Sequence, residues 1–221
     1  MVTSTKVVTK KGVGPSGKLP GPNGNGSKRR DGFFEPGPRA NRYRIGIWVA
    51  MASILMMFTA LSSAYIVRAA SSNDWVPLAM PRVLLLSTAL ILISSITMHV
   101  ARRKLRAGFE SAYARFLLVT ALLGFAFLAS QLFAWKQLAR QGVFLTTNPH
   151  SSFFYLLTAT HGLHLLGGLL ALLFLLVRAR RQREKARSAA NRQAAADAVT
   201  IYWHFMDALW IYLFLLLFLW R

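Results

Sequence analysis

The sequence predicts an all-α, polytopic membrane protein: a bundle of five transmembrane helices, N-terminus cytoplasmic and C-terminus outside. Three observations carry that expectation. Five long runs contain no Lys or Arg, and Asp207 is the single acid within them. Apolar residues make up 54% of the chain, with a positive mean hydropathy of +0.39. The basic residues fall almost entirely on alternate sides of the runs.

The runs are 45–67, 83–101, 116–135, 151–177 and 198–220. Each has about 19 to 27 residues, enough at 1.5 Å per residue to cross roughly 30 Å of hydrocarbon. A soluble helix of that length would show a polar face; these show almost none. Strands of a membrane barrel need alternating segments of about ten residues, which are missing here. The expected organisation is a disordered basic tail, 1–44, followed by one membrane domain, 45–221. The tail combines Lys, Gly, Pro and Asn runs with few large apolar residues, too few to offset the entropy of ordering. No apolar segment precedes Ile45, so a cleavable signal peptide is not expected.

Lys and Arg number 27 against seven acids, for a net charge of +20. Of these, 22 lie before run one, between runs two and three, or between runs four and five, and five lie on the other side. This is the positive-inside pattern, and it sets the orientation. Attraction to anionic lipid heads accounts for the rest of the excess, and no nucleic-acid partner is expected. With no cysteine, thiolate copper, cysteine-held iron–sulfur and covalently attached c-type haem are excluded.

Between the runs, the outer loops are short, and Pro149 precedes run four where a missing amide hydrogen costs nothing. Several of the six Trp residues (Trp48, Trp75, Trp135, Trp203, Trp210, Trp220) stand near run ends, as an interfacial belt requires. The basic stretch 178–197 is expected to continue the fourth helix into the cytoplasm. Gly162, Gly167 and Gly168, with Ser87, Ser94, Ser95 and Thr97, mark places where helices approach closely. Gln131 is expected to bond a neighbouring helix, and His99 to reach water at the end of run two. No internal repeat supports a transporter built from inverted halves.

Titratable residues inside a span are costly and mark polar contacts or functional sites. Run four carries His161 and His164; run five carries His204 and Asp207. With the orientation above, His164 lies about 13 residues in from one side and Asp207 about nine from the other, which brings them to similar depth. Spacing of three puts each pair on one helix face. The expected arrangement is an intramembrane polar cluster of His161, His164, His204 and Asp207 between runs four and five. A clamp that fixes helix register, a site handling protons or lipid heads, and a metal or haem site are all compatible with it.

The strings Thr160-His161-Gly162-Leu163-His164-x-x-Gly167-Gly168 and Tyr202-Trp203-His204-Phe205-x-Asp207-x-x-Trp210 resemble the last two helices of haem–copper oxidase subunit III. Order and loop lengths over 45–221 fit its five-helix form, which lacks the first two helices of longer members. The resemblance implies a subunit without catalytic residues, metal or redox cofactor, and with structural phospholipid. It also implies partners: the catalytic subunit I, other oxidase subunits and membrane lipids, in the bacterial cytoplasmic membrane. Roles in complex stability, lipid retention and proton uptake in aerobic respiration follow. Arg102, Arg103, Arg178 and Arg180 are lipid-phosphate candidates because a guanidinium fits that geometry.

The chain departs from the family where acids are expected. It has Ile54 in run one and Ala134 shortly after Gln131. Other readings are a quinol oxidase subunit III, an accessory protein of nitric oxide reductase, a b-type cytochrome with histidine-held haem, and a proton path through Asp207.

Overall fold

A computed structural model describes residues 38–71, 82–181 and 189–219, with side chains from Ile45 onward except at 181, 189 and 190. Much of the expected tail, the loop carrying Asp74 and Trp75, residues 182–188 and Trp220 lie outside the described residues. Five helices are present: α1 Pro38–Ser71, α2 Val83–Arg106, α3 Glu110–Arg140, α4 Pro149–Arg181 and α5 Ala189–Leu219. All five are long and apolar enough to cross a membrane, and they belong to one compact unit, Pro36–Arg221. Five such helices agree with the number expected, and the last residue of run five, Trp220, lies beyond the described end of α5. The 31 residues of α3 extend roughly 46 Å, so helix ends protrude beyond the hydrocarbon. Of the stretch 178–197 expected to prolong the fourth helix, 178–181 do belong to α4, residues 182–188 lie outside the described ones, and Ala189 onward belongs to α5, which corrects the expectation there.

The turns show why the helices stop where they do. Gly108 follows α2 with φ +79°, and Gly142 follows α3 with φ +77°. Phe109 N–H donates to Lys104 C=O and Gly108 N–H to Leu105 C=O. Val143 to Leu138 and Gly142 to Ala139 repeat the pattern. Both are Schellman endings, where glycine takes the left-handed conformation without a Cβ clash. Helix α4 begins at a reciprocal cap. Ser151 N–H donates to Asn148 Oδ1 at 2.8 Å, and Asn148 N–H to Ser151 Oγ at 3.2 Å, with Pro149 in the first helical position.

Helix α5 is the central element, packed on α1, α2 and α4, while α2 also packs extensively on α3 and α4 sits between α3 and α1. Polar side chains tie these contacts. Ser87 and Ser130 Oγ atoms meet at 2.7 Å and Thr97 and Thr120 at 2.8 Å, joining α2 to α3. Trp210 Nε1 donates to Thr88 and Trp203 Nε1 to Ser94, both at 3.1 Å, joining α5 to α2. Thr88 and Ser94 stand six residues apart on α2 and their partners Trp210 and Trp203 seven apart on α5, so the two bonds hold the helices face to face over about two turns.

The tryptophans correct the expected belt. Trp48 is exposed, but Trp203 and Trp210 are core residues. Trp135 is partly buried and donates to Thr158 on α4. Gln131 is also corrected: it is buried, and neither amide atom has a hydrogen-bond partner among the described residues. The neighbouring Ser130 makes the bond to α2 instead.

Small residues divide likewise. A Cβ at Gly124 would lie 2.8 Å from Leu169 Cδ2 and 2.9 Å from Trp203 Cη2. One at Gly168 would lie 3.1 Å from Tyr202. At Gly162 the contact would be ordinary, and at Gly167 it would meet open space. Close approach thus rests on Gly124 and Gly168.

Candidate intramembrane polar site

All five helices supply this region. His204 and Asp207 stand one turn apart on α5, with Ser95 opposite on α2. Ser95 Oγ and His204 Nδ1 share a hydrogen bond at 2.7 Å. His204 Nδ1 lies 3.8 Å from Asp207 Oδ2. That is ion-pair range but too long for a hydrogen bond. The Asp207 side chain is 5% exposed and that of His204 38%, and neither carboxyl oxygen has a hydrogen-bond partner among the described residues. The α2–α5 face thus holds a carboxyl–imidazole–hydroxyl set, open on the imidazole side.

The α4 histidines are placed differently. His161 is 0% exposed. Its ring meets Trp210 at 5.2 Å, Phe127 at 5.9 Å and Phe58 at 6.5 Å between centroids. Neither ring nitrogen has a hydrogen-bond partner among the described residues. His164 donates from Nδ1 to the Thr160 carbonyl at 2.8 Å, and its ring lies 5.9 Å from Phe58. Tyr202 OH donates to the His164 carbonyl at 2.9 Å. The link between α4 and α5 at this level is therefore a phenol on a backbone carbonyl.

The structure brings His204 together with Asp207 and Ser95, and gathers His161 and His164 around Phe58. The expected hydrogen-bonded set of four is corrected here: among the described contacts no hydrogen bond joins the α4 histidines to His204 or Asp207. The physical reason is azimuthal: spacing of three fixes a shared face on each helix, but not that the two faces oppose one another. Phe58, Phe127 and Trp210 fill the ground that facing imidazoles would need as haem ligands. Among the described residues, no group of three or more His, Asp or Glu is arranged to hold a metal ion.

Sequence reasoning passed over Ser95 as a ligand of His204, and Tyr202 and Trp210 as the other halves of the contacts. The hydroxyls Thr88, Ser94 and Ser95, spread over about two turns of α2 as Trp203, His204 and Trp210 are on α5, are the signal that would have found Ser95 and Trp210. His150, in the first turn of α4, is fully buried, with its ring 5.9 Å from that of Tyr65. His99 is exposed. Ile54 and Ala134, where acids were expected, are buried apolar core positions.

The four arginine candidates separate at the basic end of the bundle. Arg102 Nε bonds Asp197 Oδ1 at 2.5 Å, and Arg106 reaches the same carboxylate at 3.2 Å. Arg192 pairs with Glu110. Arg178 is half-buried, near Tyr113. Arg103 and Arg180 are exposed.

Substituting Ser95→Ala tests the α2–α5 set. The expected cost is about 0.5–1.5 kcal/mol, the range for interhelical hydrogen bonds in membrane bundles. Unfolding in mixed micelles measures it; unchanged stability would show that the hydroxyl contributes nothing.

The family model for cytochrome c oxidase subunit III matches residues 39–221. The chain is 33% identical over 185 residues to a probable cytochrome c oxidase subunit 3 of Nocardia farcinica, covering 80% of this chain and 87% of that one. It is 32% identical to cytochrome c oxidase subunit 3 of Synechocystis sp., over 79% and 74% of the two chains. A probable quinol oxidase subunit 3 of Staphylococcus saprophyticus is 29% identical, over 79% and 87%.

Proposed function

This chain belongs to the cytochrome c oxidase subunit III family, and from that premise we propose how it serves the oxidase. It acts as the accessory, non-redox subunit of a respiratory haem–copper terminal oxidase in a bacterial cytoplasmic membrane. It packs against the catalytic subunit I, holds phospholipid at the complex and sustains proton uptake during turnover. Its N-terminus faces the cytoplasm, as the charge asymmetry favours.

The observation that carries this reading is how the polar groups at membrane depth are spent. Ser94, Ser95, Thr88, Trp203, Trp210, Tyr202 and His204 bond helix to helix, which is the work of a scaffold. The outward surface is broad and apolar, with Val49, Leu55 and Met56 on α1 exposed, suited to lipid and to partner helices. Proton handling does not run through acids at Ile54 or Ala134; Asp207 with His204 is the pair left for it. Cytochrome c is the electron donor we favour, after the names of the more similar relatives. The quinol oxidase among them keeps quinol as the second reading.

Removal of this subunit from the oxidase is expected to leave haem content unchanged and shorten the number of turnovers before inactivation. Haem spectra and oxygen consumption with reduced cytochrome c or quinol measure both quantities and identify the donor. A core oxidase with undiminished activity and lifetime would overturn the assignment.

A further inference from the structure

A groove of about 390 Å³ opens between the start of α3 and the end of α4. Arg115, Arg180, Ser111, Glu110, Ala114, Leu118 and Ala179 line it. The volume is in the range of small-ligand sites. We propose that Arg115 and Arg180 hold the phosphate of an anionic phospholipid in this groove, with an acyl chain running along Ala114 and Leu118. The site rests on the lipid-retaining role set out above and gives it a location.

Charge bookkeeping at this end of the bundle selects the groove. Asp197 is shared by Arg102 and Arg106, and Glu110, though it lines the groove, is paired with Arg192. Arg115 and Arg180 are exposed, and among the described contacts neither has an acidic partner. They come from different helices, so two forked guanidiniums converge on one space, a geometry suited to phosphate oxygens. Ser111, in the first turn of α3, adds a hydroxyl beside amide hydrogens that favour an anion.

The rest of the lining, Ala114, Leu118 and Ala179, is apolar, and Leu118 lies within run three. A ligand that satisfies both halves carries a negative head and a hydrocarbon tail; an acidic protein segment would match only the first. Basic pockets between helices at the membrane surface are suited to such heads. Arg115 was outside the candidate set read from sequence, since its place just before run three does not show that Arg180 shares a groove with it.

The test uses the intact oxidase complex, purified in mild detergent, stripped of loose lipid and titrated with phosphatidylglycerol, phosphatidylcholine or inorganic phosphate. Bound lipid is counted by native mass spectrometry. The wild type is expected to retain phosphatidylglycerol in preference to phosphatidylcholine and to ignore inorganic phosphate. Arg115→Gln with Arg180→Gln should weaken phosphatidylglycerol binding roughly 30-fold. The double Lys variant should recover part of it, and Arg140→Gln, exposed at the far end of α3, should bind as wild type.

Wild-type binding by the double Gln variant would overturn the site. So would equal retention of the two lipids, displacement of phosphatidylglycerol by inorganic phosphate, or cross-linking of either position to another subunit in a complex that holds no lipid there. The groove alone fails if the double Gln variant keeps its lipid while turnover life still depends on phospholipid. The lipid-retaining role itself fails if lipid-stripped wild type turns over undiminished.

Discussion

Trp203→Ala is expected to cost about 3–5 kcal/mol in bundle stability, the largest single loss in this protein. Three contacts meet in that one ring. It is 0% exposed, it lies against Gly124 and Gly168, and its Nε1 donates to Ser94 at 3.1 Å. Truncation opens space at the centre of α2, α3, α4 and α5 and leaves the Ser94 hydroxyl without its donor. Within lipid the loss is of dispersion and hydrogen bonding rather than of water exclusion, since hydrocarbon outside the bundle is as apolar as the core. Trp203→Phe keeps most of the ring and loses the bond, so about 1 kcal/mol is expected. Denaturant titration in mixed micelles measures both. A Trp203→Ala protein as stable as the wild type would show that this centre does not hold the bundle.

The converse substitution fills the same point. Gly124→Val is expected to destabilise by about 1–3 kcal/mol through overpacking. The clash at 2.8 Å is with the end of a fully buried leucine, and that at 2.9 Å with the rim of the Trp203 ring. The ring cannot tilt away without giving up its bond to Ser94. Combining Gly124→Ala with Trp203→Phe should cost less than the two single changes together, because the smaller ring vacates space the new methyl needs. Strict additivity in that cycle would separate the two positions and remove the steric account.

Helix number and family were legible in the chain. Apolar length sets whether a segment can cross hydrocarbon, whatever its neighbours are. The strings around His161 and His204 were specific enough to point to one family. Helix ends were less legible, because α1, α3 and α5 run on through charged residues that exclude them from the hydrocarbon without breaking the helix. The Schellman endings at Gly108 and Gly142 and the Asn148–Ser151 cap stop the helices on local chemistry.

The polar site was legible only in its parts. His204 and Asp207 sit one turn apart, and that follows from spacing. Their third member, Ser95, is more than one hundred residues away in the chain. Trp203 and Trp210 show the same limit: a tryptophan near a span end suits an interface and a core equally well in composition.

From the sequence alone come five membrane helices, a strong sidedness of charge, and membership of the subunit III family. Which polar groups meet was decided by the tertiary structure. It gave His161 an aromatic surround, Asp207 the company of His204 and Ser95, and Arg180 the company of Arg115. The reason is physical: helical periodicity fixes which residues share a face, but in lipid every apolar face is equally at ease. Only the fit of rings over Gly124 and Gly168, and the hydroxyls of α2 opposite the tryptophans of α5, select which faces turn toward one another.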